Sequence, residues 1–104
     1  LHIGNALDTL KTLSEQGRIY DLVYIDANKR EYLEYYEAVL PLVRQGGLIL
    51  ADDTMLGGKV CQDQVPADKQ TRGLVRFNEA VASDSRVECV MLPIRDGLTL
   101  IRKL

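Results

Sequence analysis

Tyr20-Asp21-Leu22-Val23-Tyr24-Ile25-Asp26 and Gly46-Gly47-Leu48-Ile49-Leu50-Ala51-Asp52-Asp53 decide the fold. Each is a nearly continuous run of apolar β-formers that finishes in acid, as expected of strands buried on both faces of a parallel sheet. Between them, Asn28 and Glu31 fit a capping box. The helix that follows would carry Tyr32, Tyr35, Tyr36, Val39 and Leu40 inward, until Pro41 disturbs it and Gly46-Gly47 ends it.

Working outward, Leu1 to Ile3 reads as the tail of a strand that began earlier. Asn5 then caps a helix with Ala6, Leu10 and Leu13 at helical spacing, Asp8 near its positive end and Gly17 as its stop. Downstream, Thr54 to Gln70 has no period, and a loop of that length is more often functional than idle. Thr71 to Ser83 returns to helix through Leu74, Phe77 and Val81. Val87 to Pro93 and Leu98 to Ile101 form a hairpin across Ile94-Arg95-Asp96-Gly97. The expected fold class is α/β, a mostly parallel sheet ending in an antiparallel hairpin whose last strand opposes the rest.

The 104 residues are 46% hydrophobic and 27% charged, which suits one ordinary globular unit and excludes a disordered tail. Thirteen basic against 15 acidic side chains give a net charge of −2 without a basic run, which argues against a nucleic-acid backbone as the main partner. A small structured RNA is not excluded by charge alone. No apolar run approaches the ~20 residues that span a bilayer, and the start lacks the basic and apolar regions of a signal peptide, so the chain reads as cytoplasmic. Cys61 and Cys89 read as free thiols.

In open parallel sheets ligands bind beyond the carboxyl ends of the strands, where Asp26, Asp52 and Asp53 fall. Neighbouring strands lie about 4.8 Å apart, so these carboxylates can converge, which is unfavourable without a cation between them. Oxygen donors without His or Cys favour Mg²⁺, Mn²⁺ or Ca²⁺. Lys29, just beyond Asp26, would bring an ammonium to the same place and act as a general base once a nearby divalent cation lowers its pKa. Such a pair would activate an acidic, phenol-like hydroxyl. Taken singly, an acid after a strand is as often a cap, and Asp53 alone leans structural. Together with Lys29 the three favour a site. The helical tyrosines at 32, 35 and 36 read as packing, and His2 receives no role.

In order, Tyr20 to Lys29, Tyr32, Tyr35-Tyr36-Glu37, Gly46 to Asp53, Arg76-Phe77-Asn78 and Asp96-Gly97-Leu98-Thr99-Leu100 closely resemble the cation-dependent O-methyltransferases of the caffeoyl-CoA and catechol type. That family uses S-adenosylmethionine on a Rossmann-like fold. The resemblance covers essentially the whole chain. It implies that Asp26, Asp52 and Asp53 are metal ligands and that Lys29 is the catalytic lysine. It places Ala6 beside the cofactor's adenine, and Asp26 and Asn28 among the cofactor contacts. The implied reaction moves a methyl group from sulfonium to one of two vicinal oxygens of a catechol-like substrate, an EC 2.1.1 activity. A homodimer is the expected assembly. Acceptors compatible with the resemblance include catechols, flavonoids, acyl-CoA esters and a hydroxylated tRNA nucleoside.

Four positions depart from the family pattern. Asp53 stands where asparagine is usual, adding charge that favours the cation and disfavours an anionic catecholate. Gly57 replaces a side chain that touches substrate in plant relatives. Arg95 replaces a glycine before Asp-Gly, with little expected consequence. Asn28 likewise stands for a usual aspartate. The family's glycine-rich cofactor loop lies upstream of the matching region, so residues 1–104 are expected to be the C-terminal part of a single methyltransferase domain, with little activity of their own and one sheet edge unpaired. Two other functions compete. A receiver-type signalling domain also gathers acids and a lysine around Mg²⁺, but carries its acid pair at the first strand. A truncated, non-catalytic dimerising relative would keep the fold without the reaction. A P-loop fragment lacks its Gly-Lys run.

Overall fold

The computed structural model describes residues 1–64 and 66–104. Asn5 caps α1 (Ala6–Glu15) by accepting hydrogen bonds from the amides of Leu7 and Asp8. Then come β1 (Tyr20–Ile25), a 3₁₀ turn at Lys29–Glu31, α2 (Tyr32–Val39), a second 3₁₀ turn at Leu40–Leu42 and β2 (Val43–Asp52). A third 3₁₀ segment, Leu56–Cys61, precedes α3 (Lys69–Ala82), β3 (Val87–Leu92) and β4 (Leu98–Lys103).

The sheet order is β1-β2-β4-β3. β1 and β2 are parallel, and β4 is antiparallel to both β2 and β3, so it opposes the other three as expected. Ile25, Ile49, Ala51, Val87 and Ile101 share one face of the sheet with the core side chains of α2 and α3, namely Tyr32, Tyr36, Val39, Leu74, Phe77 and Val81. The rings of Tyr32 and Tyr36 meet Phe77 edge-on at centroid distances of 5.3 and 5.9 Å.

Three expectations need correction. β1 is not buried on both faces: Leu22 is 53% and Tyr24 56% exposed, because α2 and α3 pack on the opposite face. Leu1 to Ile3 pairs with no neighbour among the described residues. Gly46-Gly47 does not end a helix. β2 begins at Val43, and the two glycines lie in an irregular stretch where Tyr20↔Val43 is followed by Leu22↔Leu48. The unpatterned segment after Thr54 contains a 3₁₀ turn, and α3 starts at Lys69 because the Asp68 carboxylate caps it through the amide and hydroxyl of Thr71. Val65, in that segment, lies outside the described residues. Cys61 and Cys89 are free, and both are exposed.

Asp84, between α3 and β3, accepts from the Tyr36 hydroxyl at 2.7 Å and from Arg86 at 2.7 Å, while Arg86 also reaches Glu37. The Arg86 guanidinium, seconded by the Tyr36 hydroxyl, holds the Asp84 carboxyl well below the usual carboxylate range. A depressed folded-state pKa stabilises above the unfolded value, about 3.9, and that contribution is lost as pH falls towards the folded value. Asp84→Asn is therefore expected to be less stable at pH 7 and to lose less of its stability on acidification below about pH 4. Thermal melting across that range checks this; parallel curves for both proteins would refute it.

Candidate active site

The carboxyl ends of β1 and β2 lie side by side, with Ile25 paired to Ala51. Asp26 follows the first and Asp52-Asp53 closes the second. Asn28, extended at φ −62° and ψ 121°, accepts from the amide of Arg30 and starts the 3₁₀ turn that turns Lys29 inward. The expected capping box is thus half formed, with its helix entered through that turn.

Lys29 is 8% exposed, unusual for an ammonium, and its surroundings explain how it is tolerated. Its Nζ donates to the Tyr32 hydroxyl at 2.9 Å, to the Ala27 carbonyl at 3.3 Å and to Asp26 Oδ1 at 3.5 Å, with Asp53 Oδ2 at 3.7 Å. Burial disfavours the charged form, yet the Tyr32 hydroxyl, Asp53 and Asp26 together outweigh it and the Lys29 pKa lies above its ordinary value. The protein's own groups therefore keep this lysine protonated; the depression expected from a divalent cation would have to overcome them.

Tyr32 is the residue that a reading by helical spacing misses. Its ring is core, but its hydroxyl, fully buried, accepts from Lys29 and donates to the Asp52 carbonyl at 2.6 Å. Burial raises its pKa, partly countered by Lys29. The i, i+3 spacing of Lys29 and Tyr32 on one helical turn was the available signal.

Asp52 turns its carboxylate away from the lysine. Oδ2 accepts from the Tyr24 hydroxyl at 2.6 Å and Oδ1 from the Asp53 amide at 2.9 Å. The Tyr24 bond is the chief reason that the Asp52 pKa is lowered. Tyr24 itself is pushed up to about 12, first by that same bond. Asp53 has φ 61°, a left-handed conformation that Asp and Asn tolerate better than most residues, and burial raises its carboxyl pKa against the pull of Lys29.

The acid loop is clamped from behind by the β3–β4 hairpin. Thr54 and Met55 amides donate to the carbonyls of Gly97 and Asp96, the Thr99 hydroxyl donates to Thr54 Oγ1, and Asn78 donates to the Thr54 carbonyl. A Cβ at Gly97 would lie 2.7–2.9 Å from Met55 and Thr54, and its φ of 90° also demands glycine. Arg95, in the same turn, sits at φ 53°, a left-handed conformation that glycine adopts more readily.

The structure thus brings Asp26, Lys29 and Asp53 together and leaves the Asp52 carboxylate beside Tyr24. Among the described residues no three acid, His or Cys side chains already form a metal-binding cluster. The donor set nevertheless suits a hard cation, and a positive charge, the Lys29 ammonium, already stands between Asp26 and Asp53. Ala6 and Asp26 line one cavity of about 280 Å³ beside β1, together with Gly4, Leu10, Ala27 and Tyr35. Asn28 is not among its lining residues; its side chain serves as the cap. No helix among the described residues is long and apolar enough to cross a membrane.

These features accord with known proteins. The chain is 39% identical to a caffeoyl-CoA O-methyltransferase of Petroselinum crispum over 97% of its own length and 45% of the relative's. In structure it is similar to the O-methyltransferase from Bacillus cereus in complex with SAH, at a TM-score of 0.88 and 28% identity, covering 99% of this chain and 49% of that one. It is similar also to TomG from Streptomyces achromogenes, an O-methyltransferase involved in tomaymycin synthesis and solved with SAM, at 0.87 and 35% identity over 98% of this chain and 48% of that one. The chain spans about half the length of these relatives. A family model described as O-methyltransferase matches residues 1–104, and the chain belongs to that family.

Proposed function

We propose that the protein carrying this chain is an S-adenosylmethionine- and divalent-cation-dependent O-methyltransferase acting on a catechol-like vicinal hydroxyl, and that residues 1–104 form the proton- and cation-handling part of its methyltransferase domain. The observation that carries this reading is a buried ammonium, Lys29, set between two carboxylates where adjacent parallel strands end. Membership of the family, and relatives solved with SAM or SAH, support it.

Asp26, Asp52 and Asp53 would hold Mg²⁺, Mn²⁺ or Ca²⁺ through hard oxygens. When bound, such a cation favours the ionised form of an acceptor hydroxyl. Lys29 Nζ would take that hydroxyl's proton once its own ammonium is disfavoured; burial works in that direction, and a bound cation would have to offset the opposing pull of Tyr32, Asp53 and Asp26. Tyr32 fixes the lysine by accepting from Nζ while anchoring itself on the Asp52 carbonyl. Ala6 would lie beside the adenine of S-adenosylmethionine, and Asp26 and Asn28 would be further cofactor contacts. Ala6 and Asp26 line one cavity of about 280 Å³ beside β1.

The full-length protein, given S-adenosylmethionine, Mg²⁺ and a catechol, is expected to form the methyl ether, and excess EDTA to reduce the rate to background. Equal rates with and without the chelator would overturn the cation-dependent reading, and a lack of any methyl transfer to a panel of catechols and flavonoids would overturn the proposed acceptor class.

A further inference from the structure

Lys69, Arg72 and Arg76 follow one another along the first half of α3 at steps of three and four residues, so they stand on one side of the helix. α3 lies so close to the Lys29–Glu31 turn that a Cβ on Gly73 would fall 2.6 Å from the Arg30 Cα, and this contact brings Arg30 to the same side. The four cations and Gly73 line a cavity of about 410 Å³. We propose that this cavity is an anion-binding site for a small molecule carrying two phosphoryl groups. None of Asp26, Lys29, Asp52 or Asp53 takes part, so the site stands or falls apart from the cation-dependent reading.

Like charges at these helical spacings repel, and no acid offsets them among the described residues. The ion pairs there use Lys29, Arg44, Arg86 and Arg102. Asp68, next to Lys69, is turned to the amide and hydroxyl of Thr71. Glu31 and Glu79, near Arg30 and Arg76 in sequence, pair with none of the four. All four cations are exposed, so a ligand can reach them. Three are arginines, whose planar forks can give two parallel hydrogen bonds to a phosphate. Charge sets the number of such groups: a phosphate ester carries about −1.5 to −2 near pH 7, so four cations balance two of them. A nucleic-acid backbone is the poorer match. It calls for a positive face that follows the strand, whereas these cations line one concavity in a chain of net charge −2.

The test is calorimetric titration of the full-length protein with inorganic pyrophosphate, in EDTA so that no divalent cation bridges the probe to the carboxylates. Pyrophosphate should bind at a single site, and inorganic phosphate, with half the groups to offer, about tenfold more weakly. Arg72→Gln and Arg76→Gln should each raise the pyrophosphate dissociation constant about tenfold, as loss of a charged hydrogen-bond donor does. Both side chains are exposed, so both variants should fold, which circular dichroism checks. Lys11→Gln removes the same charge from α1, outside the cavity, and should bind as the parent does. A parent that binds no pyrophosphate, unchanged affinity in the two arginine variants, or equal weakening in Lys11→Gln would overturn the site. Inorganic phosphate binding as tightly as pyrophosphate would overturn the two-phosphoryl class. Duplex RNA that displaces pyrophosphate, and is itself weakened by the same two substitutions, would overturn the small-molecule class.

Discussion

Lys29→Ala is expected to lower kcat of the full-length enzyme by about 10²–10⁴-fold, the span that a positioned proton acceptor supplies. Two features put the effect in kcat. Nζ is held by Tyr32, Asp26 and the Ala27 carbonyl in a buried turn, so the group is already oriented and no other amine among these partners can replace it. Its removal leaves Asp26 and Asp53 in place, so affinity for the cation should persist or rise as a competing positive charge disappears. Lys29→Arg should fail to rescue, because guanidinium stays protonated at any working pH and cannot accept the proton. Initial rates at saturating substrate, alongside circular dichroism to confirm folding, are the measurement. A loss of less than about tenfold would remove Lys29 from the proton-transfer role.

Gly73→Ala should destabilise the protein by about 2–3 kcal/mol, near the top of the usual range for overpacking. The sign is informative. In an ordinary helix interior, alanine is better than glycine by ~1 kcal/mol, so a net loss must come from the surroundings. Here a Cβ would fall 2.6 Å from both the Arg30 Cα and the Lys29 carbonyl, and 2.9 Å from the Arg30 carbonyl. These are backbone atoms and cannot swing aside. α3 would have to lift from the turn that carries Lys29, loosening the contact of Phe77 with Tyr32. In a full-length protein of about 150–250 residues, a melting temperature lower by roughly 5–10 °C is expected, with a parallel fall in activity. A variant as stable as the parent would show that the turn tolerates displacement.

Much of this was legible in the sequence. The acid-terminated apolar runs marked β1 and β2, and Asn5, Gly17 and Asp96-Gly97 announced the boundaries of α1 and the closing hairpin. Lys29 and the acids could be gathered because they follow directly from strand ends. What escaped depends on neighbours distant in the chain. An apolar run reports that a strand wants cover, and not which face receives it, hence the bare side of β1. Tyr24 meets Asp52 only through the β1–β2 register, which composition does not encode. Gly73 looks like a weak point in a helix until the backbone of Lys29 and Arg30 is seen against it. Tyr32 does two things at once, and helical spacing reports only its packing.

The hairpin clamp has a bearing on the order of events during synthesis. β4, the latest of the four strands in sequence, lies inside the sheet between β2 and β3, and the turn before it holds the acid loop through Thr54 and Met55. A nascent chain emerges at about 5–20 residues per second, so Asp52 and Asp53 leave the ribosome several seconds before the segment that fixes their loop. Until then β2 has an open side and the acids have no settled arrangement. A ribosome stalled between Asp53 and Gly97 would therefore carry a chain with Asp26, Lys29, Asp52 and Asp53 all synthesised and the clamp on their loop still missing.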